Sequence, residues 1–235
     1  MVIPNVPHNV FQRGNNRRNL FSYDADRVRL LDCLERGVAA SGCLVHQLTL
    51  MTNHVHLIVT PPTKDGLAVL LHRSSQRYAQ QRNARRGASG KLFEERYHSR
   101  PIEDEKHLMT ATLYNDANAV RAGVVAMVFD HRWSTGALHA GLPGSRIPAT
   151  LWTPSRWYLG LAATPDGRAT IYRDLMTTYL AKKDAGAEGD FAPDDDLVPD
   201  VEPPYKRRVE RPDRSYAREV LRSVQDAGDS GWLGP

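Results

Sequence analysis

One stretch limits the possible fold more than any other. Cys43 to Leu50 and His54 to Thr60 are two runs of strand-forming residues, separated only by Met51-Thr-Asn53 and ended by Pro61-Pro62. Short runs rich in Val, Leu, Ile and Thr around a tight turn read as a β-hairpin. Proline cannot continue the ladder, so the second strand stops at Thr60. Within it His54 and His56 share one face and Val55 takes the other, because strand side chains alternate.

The segments on either side place this hairpin in a larger order. His8 to Arg13 alternates loosely and reads as a short strand, broken by Gly14-Asn-Asn16. Asp24 to Ala40 carries Val28, Leu30, Leu31, Leu34 and Val38 at helical spacing, with acidic residues in its first turn and Gly42 at its end. Leu67 to Arg86 reads as a second helix, and Leu92 to Ile102 as a strand. Ile102 to about Arg121 reads as a third helix, with Glu103, Asp104 and Glu105 at its start and Gly123 past its end. The order β-α-β-β-α-β-α predicts an α+β fold: a ferredoxin-like βαββαβ sandwich, its antiparallel sheet covered by helices on one face, plus one added helix.

Residues 1–130 therefore form the expected main domain. From 131 to 183 the pattern weakens to packed turns, at Arg132-Trp-Ser134 and Leu151 to Tyr158, and a helix from Arg168 to Lys183, read as a mostly helical and irregular C-terminal extension packed on that domain. Residues 184–235 open with an Asp-, Gly- and Pro-rich stretch that reads as a solvated linker, followed by a short helix at Ser215 to Gln225. No apolar run is long enough to cross a membrane, and the N-terminal residues lack the order of a signal peptide. The only two cysteines, Cys33 and Cys43, make no disulfide framework, so a reducing cytoplasm is expected.

The net charge of +4 is unevenly spread. Residues 1–100 hold 15 Lys and Arg against 7 Asp and Glu, a net of +8, whereas the remainder is acidic by 4. A basic first part suits a polyanion partner, although solvated arginine-rich helix faces produce the same asymmetry.

Two imidazoles on one strand face can bind a divalent ion, but a His-x-His pair alone is more often the mark of packed or exposed structural histidines. Tyr114 and Asn118, four apart on the third helix, share a face. The Asn118 amide oxygen is a hard ligand suited to Mg²⁺ or Mn²⁺. An ion held by two nitrogens and one oxygen keeps positions open for a phosphate oxygen. The Tyr114 phenol is a possible nucleophile on that phosphorus. The plainer alternatives are a half-buried helix tyrosine and a polar residue near a helix end.

Met51-Thr-Asn-His-Val-His-Leu57 resembles the His-hydrophobic-His motif of HUH endonucleases, in the form found in single-tyrosine HUH transposases. Three further segments are similar, in order and spacing, to the REP-associated tyrosine transposase branch. They are Gln12-Arg-Gly-Asn-Asn-Arg17 with Leu20-Phe21, Gly90-Lys-Leu-Phe-Glu-Glu-Arg-Tyr97, and Tyr114-Asn-Asp-Ala-Asn-Ala-Val-Arg-Ala-Gly-Val-Val125. The likeness spans roughly residues 8–135. It departs at Ala119 and Thr52, where the family usually has proline, and in a C-terminal tail of mixed charge at Tyr205 to Arg218. The resemblance implies that Tyr114 is the nucleophile and that His54, His56 and Asn118 are metal ligands. It implies single-stranded DNA beside a hairpin as substrate, cut through a covalent 5′-phosphotyrosine and rejoined by reversal. It also implies a bacterial, cytoplasmic protein, expected to act as a monomer with a dimer left open.

DNA contacts are expected from Arg13, Asn15, Asn16, Arg17 and Arg18, which combine charge with base-reading amides. Arg73 and Arg77 on the second helix, together with Arg82, Arg85 and Arg86, are expected to grip phosphates. Arg96 and Arg121 either neutralise the scissile phosphate or pair with Glu94, Glu95 or a helix C-terminus. Two alternatives remain: a domesticated, non-catalytic DNA-binding relative, and a metal phosphodiesterase that uses water.

Overall fold

The structure is a computed structural model that describes residues 1–184 apart from Glu95. The reading of residues 185–235 as linker and terminal helix lies outside the described residues. Four strands, β1 (His8–Arg13), β2 (Leu44–Leu50), β3 (His54–Thr60) and β4 (His98–Pro101), form one antiparallel sheet in the order β2-β3-β1-β4. Three long helices accompany it: α1 (Asp24–Ser41), α2 (Gly66–Arg86) and α3 (Glu105–Arg121). The described extension holds two short helices, α4 (Gly136–His139) and α5 (Arg156–Gly160), and a longer one, α6 (Pro165–Asp184). This is the expected α+β, ferredoxin-like order with an added helix.

The hairpin closes as its sequence requires. Met51 N–H donates to His54 O at 2.9 Å across the turn, and Pro61 lies just past the last paired residue. Gly42 caps α1 at φ +67, a left-handed conformation that a side chain would strain. Asp104 caps α3 by accepting from His107 N–H at 2.7 Å. The expected strand from Leu92 to Ile102 shrinks to His98–Pro101. Before it, the chain is pinned to the end of β1 through Gly14 and Phe93 instead, so pairing continues as a single bridge. Pro101 is tolerated because β4 is an edge strand.

Alternation along the strands feeds two separate cores. Val10, Leu48, Leu50, Val55, Leu57 and Val59 face α1 and α2. Ile58, on the opposite face, joins Leu108, Ala111, Leu113 and Ala117 of α3 with Trp157, Tyr158, Tyr172 and Met176 of the extension. So α1 and α2 cover one side of the sheet and α3 the other. The single helical layer expected from the sequence is incomplete, because the added helix makes a second one. Both faces being covered, His54 and His56 are each only 1% exposed.

Candidate active site

His54 and His56 sit on the α3 side of β3, over the ring of Phe11 on the neighbouring strand. Their centroids are 5.4 and 5.1 Å from that ring and 4.9 Å from each other, edge to face. Asn118, on the last turn of α3, donates from Nδ2 to His56 Nε2 at 3.0 Å. An amide N–H has only protons to offer, so His56 Nε2 presents its lone pair. His54 Nδ1–H donates to Asn53 Oδ1 at 2.6 Å, which likewise leaves Nε2 unprotonated. His54 Nε2 is buried and meets no partner at hydrogen-bond geometry among the described residues, although the Asn118 amide lies near enough to favour protonation of this ring slightly.

Both rings are held neutral. Burial is the main cause for His56, pushing it down to about 3 with help from the nearby Arg121 charge. Burial, then His56 and Arg13, hold His54 well below the ordinary histidine value. Neutral imidazole is the form that binds metal. Two inward lone pairs, one without a partner, and the Asn118 amide, which turns its N–H to His56 here and offers its oxygen once the amide is turned over, make a donor set that fits a small divalent ion. No group of three His, Cys, Asp or Glu residues stands together among the described residues. An ion here would thus depend on Asn118 for its third side-chain ligand.

Tyr114 lies one turn before Asn118 on the same helix face and is 2% exposed. The Arg121 guanidinium stacks on it, with its central carbon 3.9 Å from the ring centroid. Arg121 Nη1 is buried without a hydrogen-bond partner among the described residues, although its charge is close enough to depress His56. A buried guanidinium N–H beside a tyrosine and a neutral histidine is a donor that suits a phosphate oxygen.

Residues 6–114 match the family model described as IS200-like transposase, a span that contains the histidine pair and ends on the tyrosine. This part of the chain is similar to the IS200-like transposase family. A solved REP-associated tyrosine transposase bound to a REP hairpin is similar in fold, at 17% identity and a TM-score of 0.50 over 66% of this chain and 89% of that one. A crystal structure described as that of a transposase from Deinococcus radiodurans R1 also matches, at 18% identity and a TM-score of 0.36 over 45% of this chain and 85% of that one. No curated protein matches the chain.

The expected DNA contacts are unevenly distributed over the structure. Arg13 pairs with His54 across the ladder, and its Nε donates to Glu94 at 3.0 Å, so Glu94 serves Arg13 and not Arg96. Asn15 to Arg17 form a tight 3-10 turn with Asn16 and Arg17 at φ +52 and +55. Asn16, Arg17 and Arg18 are exposed, while Asn15 is half-buried. A Cβ at Gly14 would stand 2.1 Å from Arg18 O, so only glycine lets this loop fold back. Arg73 and Arg77 are exposed on α2, across the sheet from the histidines. Arg82, Arg85 and Arg86 have structural work: Arg82 holds Asn19 O at 2.8 Å, and the other two pair with the buried Asp26. Arg96 is exposed beside Tyr97.

Two parts of the site escaped the sequence reading. One is Asn53, treated there only as a turn residue. The other is a buried polar layer behind α3. Asp116, fully buried, accepts at Oδ1 from Gln47, Ser134 and Thr135 at 3.0, 2.8 and 3.2 Å, and at Oδ2 from His139 and Tyr172 at 2.8 and 2.7 Å. Burial opposes its charge, but His139 and these donors outweigh that and lower its pKa. The pair Asn115-Asp116, set between Leu113 and Ala117 on a largely buried stretch of the helix, was the available signal. The histidines do not face outward from the sheet, as an isolated hairpin would place them; α3 buries them.

Proposed function

We propose that this chain is a metal-dependent single-strand DNA endonuclease and strand transferase that acts beside DNA hairpins through Tyr114. The observation that carries this reading is the convergence of two neutral imidazole lone pairs on Asn118, one helical turn from a tyrosine covered by Arg121. The match of residues 6–114 to the IS200-like transposase family and the fold similar to that of a hairpin-bound transposase support it.

His54, His56 and Asn118 would hold Mg²⁺ or Mn²⁺, which when bound supplies Lewis-acid polarisation of the scissile phosphate. Arg121 donates to a phosphate oxygen and moves its charge off the Tyr114 ring as it does so. The Tyr114 oxygen then attacks phosphorus. A tyrosine–phosphorus ester forms, the bond to the 3′-oxygen breaks, and the proton lost by the phenol is balanced by the 3′-hydroxyl released. Attack by another 3′-hydroxyl reverses the step and joins strands, so the ester conserves the bond energy. The loop from Gly14 to Arg18 supplies exposed amides and guanidinium groups for single-stranded bases and phosphates near the cut.

Incubation with Mn²⁺ and labelled hairpin-flanked single-stranded DNA should yield an SDS-resistant adduct that Tyr114→Phe abolishes. An adduct that survives that substitution refutes the role given to Tyr114. Cleavage without any adduct would mean that water is the nucleophile, and binding without cleavage would mean a purely DNA-binding protein.

A further inference from the structure

Asn53 stands between the loop and the histidine pair and touches both. Its backbone carbonyl accepts from Gly14 N–H at 2.8 Å, and its Nδ2 donates to Arg17 O at 3.4 Å. A carbonyl cannot donate, so the Arg17 contact fixes which end of the Asn53 amide is nitrogen. Oδ1 is thereby turned to His54 Nδ1, 2.6 Å away. An amide oxygen can only accept, so His54 must carry its proton on Nδ1 and leave Nε2 as a lone pair. The residue is 4% exposed and its bond to His54 is buried, which shields that contact from water. Neighbouring bonds brace the arrangement: Leu20 N–H and Phe21 N–H both donate to Thr52 O, at 2.9 and 3.3 Å.

We infer that Asn53 is a positioning residue that sets the tautomer of His54 and ties it to the Gly14–Arg18 loop. The inference rests on the metal-site reading above, since a ligand histidine needs an unprotonated nitrogen facing the ion, and the group that holds its other nitrogen fixes both tautomer and ring angle. Because the same amide is held by the loop, any displacement of Arg17 O by bound DNA reaches His54 through one side chain.

The test uses the full chain without metal first. Long-range ¹H–¹⁵N spectra of the wild type should show His54 protonated at Nδ1. Asn53→Ala should shift that ring toward a mixture with the Nε2–H form, whereas Asn53→Asp, which keeps an acceptor, should retain the wild-type pattern. Mn²⁺ titration followed by EPR should then show affinity reduced about 10- to 100-fold in Asn53→Ala and largely restored in Asn53→Asp. A wild-type tautomer in Asn53→Ala overturns the inference and leaves Asn53 as a turn residue only. A shifted tautomer with unchanged Mn²⁺ affinity overturns the link to the ligand. If the wild type binds no Mn²⁺ but the tautomer still shifts, Asn53 keeps its orienting role and the metal reading falls instead.

Discussion

The hydroxyl of Tyr172 on α6 donates to Asp116 on α3 at 2.7 Å, which fastens the helix bearing Tyr114 to the extension from behind. Asp116 lies between Tyr114 and Asn118 in sequence and so projects from the opposite side of the helix. With five donors converging on one buried carboxylate, α3 has little freedom to slide or rotate. Tyr172→Phe removes one donor while keeping the ring that stacks on His139 at 5.0 Å. Leaving that carboxylate oxygen short of a partner should cost about 1–3 kcal/mol, read as a lower urea midpoint at unchanged slope. No change in midpoint would mean that Asp116 is satisfied without α6.

The histidine pair and Asn118 should be separable from DNA affinity. His54→Ala combined with His56→Ala is expected to abolish nicking while retaining most binding to a hairpin-flanked strand, because neither ring is exposed to contact DNA broadly. EDTA should mimic the double variant, and added Mn²⁺ or Mg²⁺ should reverse the EDTA effect only in the wild type. Nicking that persists in the double variant would show that the ligands lie elsewhere.

Much of the site was legible in the sequence because it is built from local spacing. His54 and His56 share a face by strand alternation, and Tyr114 and Asn118 by helix periodicity; β1 and β3 keep the expected bounds. What escaped depends on tertiary contact. The Arg17 carbonyl meets Asn53 only because the loop folds back on the hairpin turn, and Gln47, Ser134 and His139 meet Asp116 from two distant segments. The same limit explains the histidines' surroundings. Alternation says that they face together, but not that a helix from beyond β4 covers them. Helix periodicity likewise showed Arg82, Arg85 and Arg86 on a polar face without revealing Asn19 and Asp26 as their partners.

Arg121 should matter more to the chemical step than to binding. Its guanidinium lies over the Tyr114 ring, where a phosphate approaching the phenol would meet it. Arg121→Ala is expected to slow adduct formation on the order of 10²- to 10³-fold, as for loss of a preorganised donor to a developing charge. Arg121→Lys keeps a positive charge but loses the planar fork, so it should recover only part of the rate. Single-turnover kinetics under saturating DNA would check this, and equal rates in all three proteins would remove Arg121 from the site.

Acid should weaken the fold from about the ordinary histidine pKa of 6.5 downward. His131 is 6% exposed and donates from Nε2 to Leu50 O, and burial holds it down at about 4. Between these values the unfolded chain gains a proton that the native chain refuses, so stability falls as pH falls; the share of His131 levels off below pH 4, while that of His56, held down at about 3, continues. His131 accounts for at most about 3 kcal/mol of that loss. Asp116 acts lower down: its depressed pKa means that its contribution is present above the ordinary carboxylate range and is lost only below it. Thermal melts of the metal-free protein should therefore decline from pH 6.5 to 4, and His131→Gln should flatten that decline.

The two groups of exposed arginines should differ in how DNA length affects them. Arg17 and Arg18 stand on the loop joined to the histidine strand through Asn53, whereas Arg73 and Arg77 lie on α2 across the sheet. Replacing Arg17 and Arg18 by Gln should weaken binding even to an oligonucleotide that covers little beyond the cleavage position. If both contact phosphate, the salt dependence should flatten by about 0.7 per contact, the value for a single strand. Replacing Arg73 and Arg77 should leave the short strand unaffected and reduce affinity only for DNA long enough to pass around the sheet edge to α2. Titrations at several salt concentrations, with strands of increasing length, separate these outcomes. A loss on the short strand in the α2 variant would mean that the DNA path runs over α1 and α2 and not along the loop.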